Sequence, residues 1–109
     1  MKEGLLIDKN GNKRWYNENE LRHRVDGPAC EYCDGTKKWY LNGKLHRIDG
    51  PAMELYNGSK AWYIEGKLHR LDGPSIEFID GDNHYHINGN RYTKKAFDIK
   101  IFELEMDDI

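Results

Sequence analysis

The chain has 109 residues, of which 38% are hydrophobic and 33% charged, and its formal net charge is −2. This length fits one domain, residues 1–109, with a thin core. The slightly acidic charge argues against direct nucleic-acid binding, although it leaves room for a local basic strip, and no apolar run approaches the roughly 18 residues that a membrane helix needs.

The N-terminal segment begins without the apolar core of a signal peptide, so we expect a cytoplasmic protein with no membrane partner. Leu6 and Trp15 begin an apolar column, and Asn10-Gly11 lies between them as a turn signal. This pattern predicts a first β-hairpin.

A repeat of 23 residues follows. The motif H-R-x-D-G-P occurs at residues 23–28, 46–51 and 69–74. Trp39-Tyr40 and Trp62-Tyr63 keep the same spacing, Tyr85-His86 takes the next position, and Trp15 lies 24 residues before Trp39. Internal repeats of this length indicate an array of identical supersecondary units. The units are residues 4–27, 28–50, 51–73 and 74–92.

Each unit alternates with period two around a turn signal. Asn57-Gly58 separates two such segments, and Asp34-Gly35 and Asp80-Gly81 take the same position. A type I′ turn there pairs Met53 with Trp62 and Glu54 with Ala61. The pattern predicts a mainly β protein: one antiparallel sheet of stacked hairpins, about eight strands, with each H-R-x-D-G-P segment as a return loop.

This register assigns two faces to the sheet. We expect the core face to carry the larger apolar side chains: Met53, Leu55, Trp62 and Ile64, with Cys30, Tyr32, Trp39, Leu41, Ile76, Phe78, Tyr85 and Ile87 in the other units. The solvated face then carries Ala52, Glu54 and Tyr63, with Ala29, Glu31, Tyr40, Ser75, Glu77 and His86. On that face Glu31 is expected opposite Lys38, and Glu77 opposite His84.

The repeat ends after Asn88-Gly89, and residues 93–109 form a different segment. Thr93 is a suitable N-cap for a short helix that covers the open sheet edge. The stretch from Ile99 to Met106 also alternates, so a strand remains a competing interpretation.

The unit W-Y-L-N-G-K-L-H-R-I-D-G-P-A at residues 39–52 resembles the W-Y-x-N-G-x-x-H-R-x-D-G-P-A repeats of bacteriophage, giant-virus and bacterial proteins, which are similar to variant MORN repeats. The likeness covers about residues 4–92. It implies a hairpin array that acts as a scaffold or interaction surface. Its viral association further implies an inhibitor of a host defence system, similar to an anti-CRISPR protein, in the host cytoplasm.

The H-R-x-D segments are the first candidates for chemistry. Their residues are His23, Arg24, Asp26, His46, Arg47, Asp49, His69, Arg70 and Asp72. Equivalent residues two strands apart lie about 10 Å from one another, too far for a shared metal ion with bonds of about 2 Å. We expect a mainly structural role, in which Arg47 pairs with Asp49 and His46 bonds a loop carbonyl. No catalytic residue, metal or cofactor is predicted.

Cys30 and Cys33 form a C-x-x-C motif, which in other settings is a redox or zinc site. On a strand, positions i and i+3 point to opposite faces, so the two thiols cannot converge. We expect them to act as small apolar side chains.

The core face carries a column of aromatic side chains, Trp15, Trp39, Trp62 and Tyr85, which we call the Trp column. In a single-layer sheet this column needs a cover, which the C-terminal segment, a curled sheet or a second copy in a homodimer would supply.

The solvated face offers a partner-binding surface: Tyr16, Glu31, Tyr40, Glu54, Tyr63, Glu77 and His86. Tyrosine is favoured at interfaces, and these glutamates with the acidic tail (Glu103, Glu105, Asp107, Asp108) would match a basic groove. The function expected is non-enzymatic binding of a host protein, such as a nuclease or another defence-complex subunit. The alternatives are a small-ligand or nucleotide binder using Arg24, Arg47 and Arg70, and a self-associating scaffold.

Overall fold

The computed structural model describes residues 4–106. Within this range the chain forms thirteen strands and one helix: β1 (Gly4–Ile7), β2 (Lys13–Tyr16), β3 (Cys30–Glu31), β4 (Lys37–Lys38), β5 (Tyr40–Leu41), β6 (Lys44–Leu45), β7 (Met53–Glu54), β8 (Lys60–Ala61), β9 (Tyr63–Ile64), β10 (Lys67–Leu68), β11 (Ile76–Glu77), β12 (Asn83–Ile87), β13 (Asn90–Tyr92) and α1 (Lys94–Met106). The ends of the predicted domain, residues 1–3 and 107–109, lie outside the described residues, and so do Asp107 and Asp108.

The main sheet has nine strands in the order β1-β2-β3-β4-β7-β8-β11-β12-β13, and every recorded strand pair is antiparallel. Each complete repeat therefore adds two strands to it, as predicted. The mainly β fold with a C-terminal helix is confirmed, with nine strands in this sheet instead of about eight. The described residues extend 48 × 32 × 18 Å.

The repeats at residues 28–50 and 51–73 each also build a second, smaller hairpin, which the sequence pattern did not predict. β5 pairs with β6 and β9 with β10, each as a separate two-stranded sheet. The turns of these hairpins have positive φ at both central residues: 50° and 83° at Asn42-Gly43, and 51° and 81° at Glu65-Gly66. These are type I′ turns, because that turn needs two left-handed residues, and Asn88-Gly89 between β12 and β13 has the same pair of positive φ angles, 52° and 84°.

The predicted register in the main sheet is wrong by one residue. Met53 pairs with Ala61 and Glu54 with Lys60. The Gly58 N–H donates to the Leu55 carbonyl at 2.9 Å, and the Leu55 N–H donates to the Ser59 carbonyl at 2.9 Å. This is a three-residue loop in which Gly58 has a positive φ of 95° and Asn57 does not. A type I turn followed by one left-handed residue produces this pattern.

The cross-strand charge pairs predicted on the solvated face are wrong for the same reason. Glu31 lies opposite Lys37, and Glu77 lies opposite Asn83. Because side chains alternate along a strand, a shift of one residue changes which neighbours each one meets.

Trp39 is the junction between the two hairpins of its repeat. Its N–H donates to the carbonyl of Ala52 in the next main-sheet strand at 2.7 Å, whereas its carbonyl accepts the N–H of His46 at 3.0 Å. Trp15 and Trp62 make the equivalent bonds. The chain therefore leaves the main sheet at Trp39 and at Trp62, whereas Trp15 lies within β2 and pairs with Leu5 of β1.

The buried core consists largely of small side chains, which corrects the predicted faces. Ala29, Ala52 and Ser75, expected on the solvated face, are fully buried, as is Cys30. Ala29, Ala52 and Ser75 lie at the junctions, where their carbonyls accept the tryptophan N–H groups. The tryptophans, Met53 and Leu55 are only half-buried. The thin core agrees with the small size of the chain.

The C-terminal segment is the predicted helix, not the competing strand. Thr93 caps it, since its Oγ1 accepts the N–H of Ala96 at 3.1 Å. Phe97 is buried and its ring lies 4.9 Å from that of Tyr85. The helix therefore covers the last repeat of the array. No helix in residues 4–106 is long and apolar enough to cross a membrane.

Candidate functional site

The return loops carry the most regular side-chain arrangement in the molecule. In each one the arginine lies over the tryptophan of its own repeat, with the guanidinium carbon 3.8 Å from the ring centroid for Arg24 and Trp15, 3.9 Å for Arg47 and Trp39, and 3.8 Å for Arg70 and Trp62. A guanidinium at this distance attracts the aromatic face electrostatically and shields it from water. Each arginine thus covers one face of a tryptophan in the column for which the C-terminal segment, a curled sheet or a second copy was expected as the cover.

Each arginine also donates to three acceptors, as Arg47 illustrates. Its Nε donates to Asp49 at 3.1 Å, and its Nη1 donates to the Pro51 carbonyl at 3.0 Å and to Glu54 at 3.3 Å. Arg24 and Arg70 make the same bonds at 2.8–3.2 Å. We call each set an arginine clamp: Arg24 with Trp15, Asp26 and Glu31; Arg47 with Trp39, Asp49 and Glu54; and Arg70 with Trp62, Asp72 and Glu77.

The clamps confirm the expected pairing of Arg47 with Asp49 and add the glutamate and the tryptophan to it. The hydrogen bond from Arg70 lowers the pKa of Asp72, which keeps that carboxylate charged. Because the stacked face, Nε and Nη1 are all engaged within the chain, these arginines have little left to offer a phosphate group.

The histidines of the return loops link successive repeats. Nδ1 of His46 accepts the N–H of Glu65 at 2.9 Å, and His23 and His69 accept the N–H groups of Asn42 and Asn88 at the same distance. The predicted bond from His46 to a loop carbonyl is therefore wrong, since Nδ1 is an acceptor. Each histidine Nδ1 thus accepts the backbone N–H of the first central residue of a type I′ turn in the next repeat.

The three histidines do not come together. Each one binds a different turn, and residues 4–106 contain no group of three or more His, Cys, Asp or Glu side chains that would hold a metal ion. Cys30 is buried, Cys33 is exposed, and both are free. The arrangement repeats one structural contact three times instead of assembling one reactive centre.

Grooves lie between neighbouring return loops. One groove, between loops 23–28 and 46–51, contains Trp39, Leu41 and His46; the next, before loop 69–74, contains Trp62, Ile64 and His69. A third groove, at the N-terminal end, contains Leu5 and Trp15. We call the surface formed by the three loops and these grooves the loop edge.

Apolar side chains project from the loop edge. Val25 is 82% exposed and Ile48 84% exposed, and both occupy the variable position of the motif. Leu71 is 46% exposed and shares its groove with Phe97 and Ile101 of α1. Single exposed apolar residues are common on protein surfaces, whereas a cluster of them is typical of an interaction surface. The row of exposed aliphatic side chains therefore indicates that the loop edge binds a partner.

The fourth repeat has no arginine clamp. Lys94 and Phe97 of α1 cover Tyr85 instead, with the Lys94 Nζ 5.9 Å from the ring centroid. The loop edge therefore ends at the helix.

The predicted partner surface is less open than expected. Tyr16, Tyr40 and Tyr63 are half-buried, and so are the glutamates, Glu31, Glu54 and Glu77, which bind the clamp arginines. Burial and the neighbouring Tyr40 raise the pKa of Tyr63. His86 is buried, and its Nδ1 lies 2.6 Å from Ser75 Oγ. Burial, together with the charges of Arg91 and His84, lowers the pKa of His86. The structure thus joins the glutamates to the loop residues and separates His86 from solvent.

Two buried hydroxyls were missed by the sequence analysis. Thr36 Oγ1 accepts the N–H of Tyr56, and Ser59 Oγ accepts the N–H of Ile79, both at 3.1 Å. Each joins its own turn to the turn of the next repeat. The available signal is a hydroxyl residue directly after the turn glycine in Asp34-Gly35 and Asn57-Gly58.

Comparison with protein-family models, with curated proteins and with solved structures gives no match for this chain.

Proposed function

We propose that the chain is a non-enzymatic protein-interaction module that binds its partner through the loop edge. The observation that carries this proposal is the exposure of Val25 and Ile48 at the tips of loops that the clamps hold in place. Rigid loops lose little conformational entropy on binding, and burial of projecting aliphatic side chains favours association.

The contacts within the loops support binding over chemistry. A nucleophile, a general base and a site for the reacting atom must lie within hydrogen-bond reach of one another. The loop histidines instead bond backbone N–H groups of three separate turns, and the loop aspartates bond arginines.

The identity of the partner rests on the resemblance alone. Inhibition of a host defence enzyme in the host cytoplasm is the narrower proposal that follows from it. The face that carries the tyrosines and glutamates is the competing binding surface. We favour the loop edge because Glu31, Glu54 and Glu77 already bind arginines within the chain.

The test is affinity capture from the native cell lysate with matched variants. We expect the wild-type chain to retain a partner that the double variant Val25→Asp, Ile48→Asp loses. The control is Tyr56→Asp, because Tyr56 is 70% exposed in a turn outside the loop edge. Loss of the partner with the control but not with the double variant would reject the loop edge. If both variants retain the partner and only high salt releases it, the result would favour the glutamate face as the binding surface.

Self-association is a second candidate function because the edge strand β1 is apolar. Leu6 is 64% exposed and Ile7 57%, and among the strands of residues 4–106 β1 pairs with β2 alone. An unprotected apolar edge strand is a template for another strand. Light scattering across a concentration series tests this: a dimer in the wild-type chain that Leu6→Lys converts to a monomer would support it, and a monomer throughout would reject it.

A further inference from the structure

The spacing of the grooves defines the kind of ligand that fits the loop edge. Each repeat adds two strands to the main sheet, so equivalent grooves follow one another at about 9.6 Å. A polyproline II helix presents the same face every three residues, or about 9.3 Å. An α-helix has a comparable interval only at seven residues, about 10.5 Å, and a strand presents one face at about 6.6 or 13 Å.

Residues that line the grooves offer hydrogen-bond donors. Because Nδ1 of His46 accepts a backbone N–H, the proton of the neutral ring is on Nε2. Within residues 4–106 no hydrogen bond joins this N–H or the indole N–H of Trp39 to an acceptor. Because no buried side-chain nitrogen in that range lacks a partner, both N–H groups are accessible to a ligand. Both residues line one groove, and His69 and Trp62 line the next. A polyproline II segment has free backbone carbonyls, whereas those of an α-helix are already bonded.

The charge of the loop edge indicates the residues between the prolines. Asp26, Asp49 and Asp72 place one carboxylate on each loop, and each side chain is 86% exposed. Only Oδ1 of each binds its arginine. A row of exposed carboxylates at the groove spacing complements a ligand with one cation per turn.

We propose that the loop edge binds a proline-rich segment in the polyproline II conformation, with a basic residue in each three-residue turn. Prolines enter the grooves against Trp39 and Trp62, beside Val25 and Ile48, and the basic residues pair with the loop aspartates. Aromatic grooves are a recurrent way to bind such segments because they are extended before binding. This inference rests on the proposed function and specifies its ligand.

The test uses the full chain and synthetic peptides. The probe is a fluorescent twelve-residue peptide of four Lys-Pro-Pro triplets; the comparison peptides are four Lys-Gly-Gly triplets, with the same charge but no polyproline II preference, and an amphipathic heptad helix. The chain has three Trp, and all three line these grooves, so their indole N–H signals in a ¹H–¹⁵N spectrum report on the site directly.

We expect the Lys-Pro-Pro peptide to shift the indole signals and to bind about tenfold more tightly than the Lys-Gly-Gly peptide. Ile48→Ser is expected to weaken its binding about tenfold, since one exposed aliphatic side chain loses its contact. The Tyr56→Ser control should bind as the wild type does. Both substituted side chains are exposed, so both variants should fold.

Equal binding of the two triplet peptides, unmoved indole signals, or tighter binding of the heptad peptide would overturn the inference. If these peptides fail while the Val25→Asp, Ile48→Asp variant still loses its captured partner, the ligand class is wrong and the proposed function stands. If that variant keeps its partner, the proposed function itself fails.

Discussion

The arginine clamp shows why H-R-x-D-G-P recurs as a unit. The arginine needs a planar guanidinium to lie on the tryptophan while Nε and Nη1 donate to Asp, Glu and a carbonyl. The glycine leaves space for it, since a Cβ on Gly50 would lie 2.9 Å from the Arg47 guanidinium carbon. Every member of the motif but the variable residue thus has a contact within the fold.

Replacement of Arg47 by Lys tests the clamp. Lysine keeps the charge but lacks the planar fork, so the Arg47→Lys variant loses the stacked face and the paired donors. We expect the free energy of unfolding, measured by urea denaturation, to fall by about 1–2 kcal/mol.

The matched control is Arg91→Lys, because Arg91 is exposed and belongs to no ion pair recorded for residues 4–106. It should change the free energy by less than about 0.5 kcal/mol. An equal effect of the two substitutions would show that the clamp contributes nothing specific.

His86 gives the stability of the protein a pH dependence. Burial, helped by Arg91 and His84, lowers its pKa below the ordinary value of 6.5. The unfolded chain therefore binds a proton at a higher pH than the folded chain, so stability falls as the pH drops below about 6.5 and levels off below the folded pKa.

Restoration of the repeat pattern should reduce this loss. In the preceding unit Ala52 and Tyr63 occupy the positions of Ser75 and His86. We expect the Ser75→Ala, His86→Tyr double variant to lose less stability between about pH 7 and pH 5 than the wild type in urea denaturation. An unchanged pH slope would show that His86 is not responsible.

At the scale of elements, the two kinds of turn explain what the sequence could predict. The repeats and return loops followed from spacing alone, whereas the capping residue favoured the helix without excluding a strand. The register did not, because an Asn-Gly pair occupies both turns: Asn57-Gly58 in a three-residue loop and Asn42-Gly43 in a type I′ turn. The local sequence fits both turns, and the pairing of the next repeat decides between them.

The site was predicted only in part for a related reason. Pairing of Arg47 with Asp49 is local and could be anticipated from two residues in one loop. Its contacts with Trp39 and Glu54 span eight and seven positions and depend on where the chain leaves the sheet. Burial of the small residues, such as Ala52, depends on the same junction.

The helix cap gives a prediction with an internal control. Phe97 is 5% exposed against Tyr85, whereas Phe102 on the same helix is 62% exposed. We expect Phe97→Ala to lower the free energy of unfolding by about 3 kcal/mol and Phe102→Ala by less than about 1 kcal/mol. Chemical denaturation of both variants measures this, and similar losses would contradict the packing of α1 through Phe97.

At the scale of the whole molecule, the chain behaves as a one-dimensional array. The histidines, Thr36 and Ser59 each bond the turn of the next repeat. In such arrays stability comes from each unit and its contacts with its neighbours. The array should therefore tolerate removal of one whole unit.

Deletion of residues 51–73 tests this property. It joins Gly50 to Pro74, restores the return-loop sequence and places β4 beside β11. We expect a cooperatively folded protein of lower stability, as measured by circular dichroism during thermal unfolding. A deletion of residues 51–67, which is not a whole unit, should fail to fold; if both behave alike, the repeats are not interchangeable.

The central claim is that the loop edge is the surface at which this protein meets its partner. Site-specific photo-crosslinking tests it most directly, with p-benzoylphenylalanine at position 48 or at position 56, where the side chains are 84% and 70% exposed. We predict a covalent adduct with the captured partner from position 48 and none from position 56. An adduct from position 56 alone would contradict the claim.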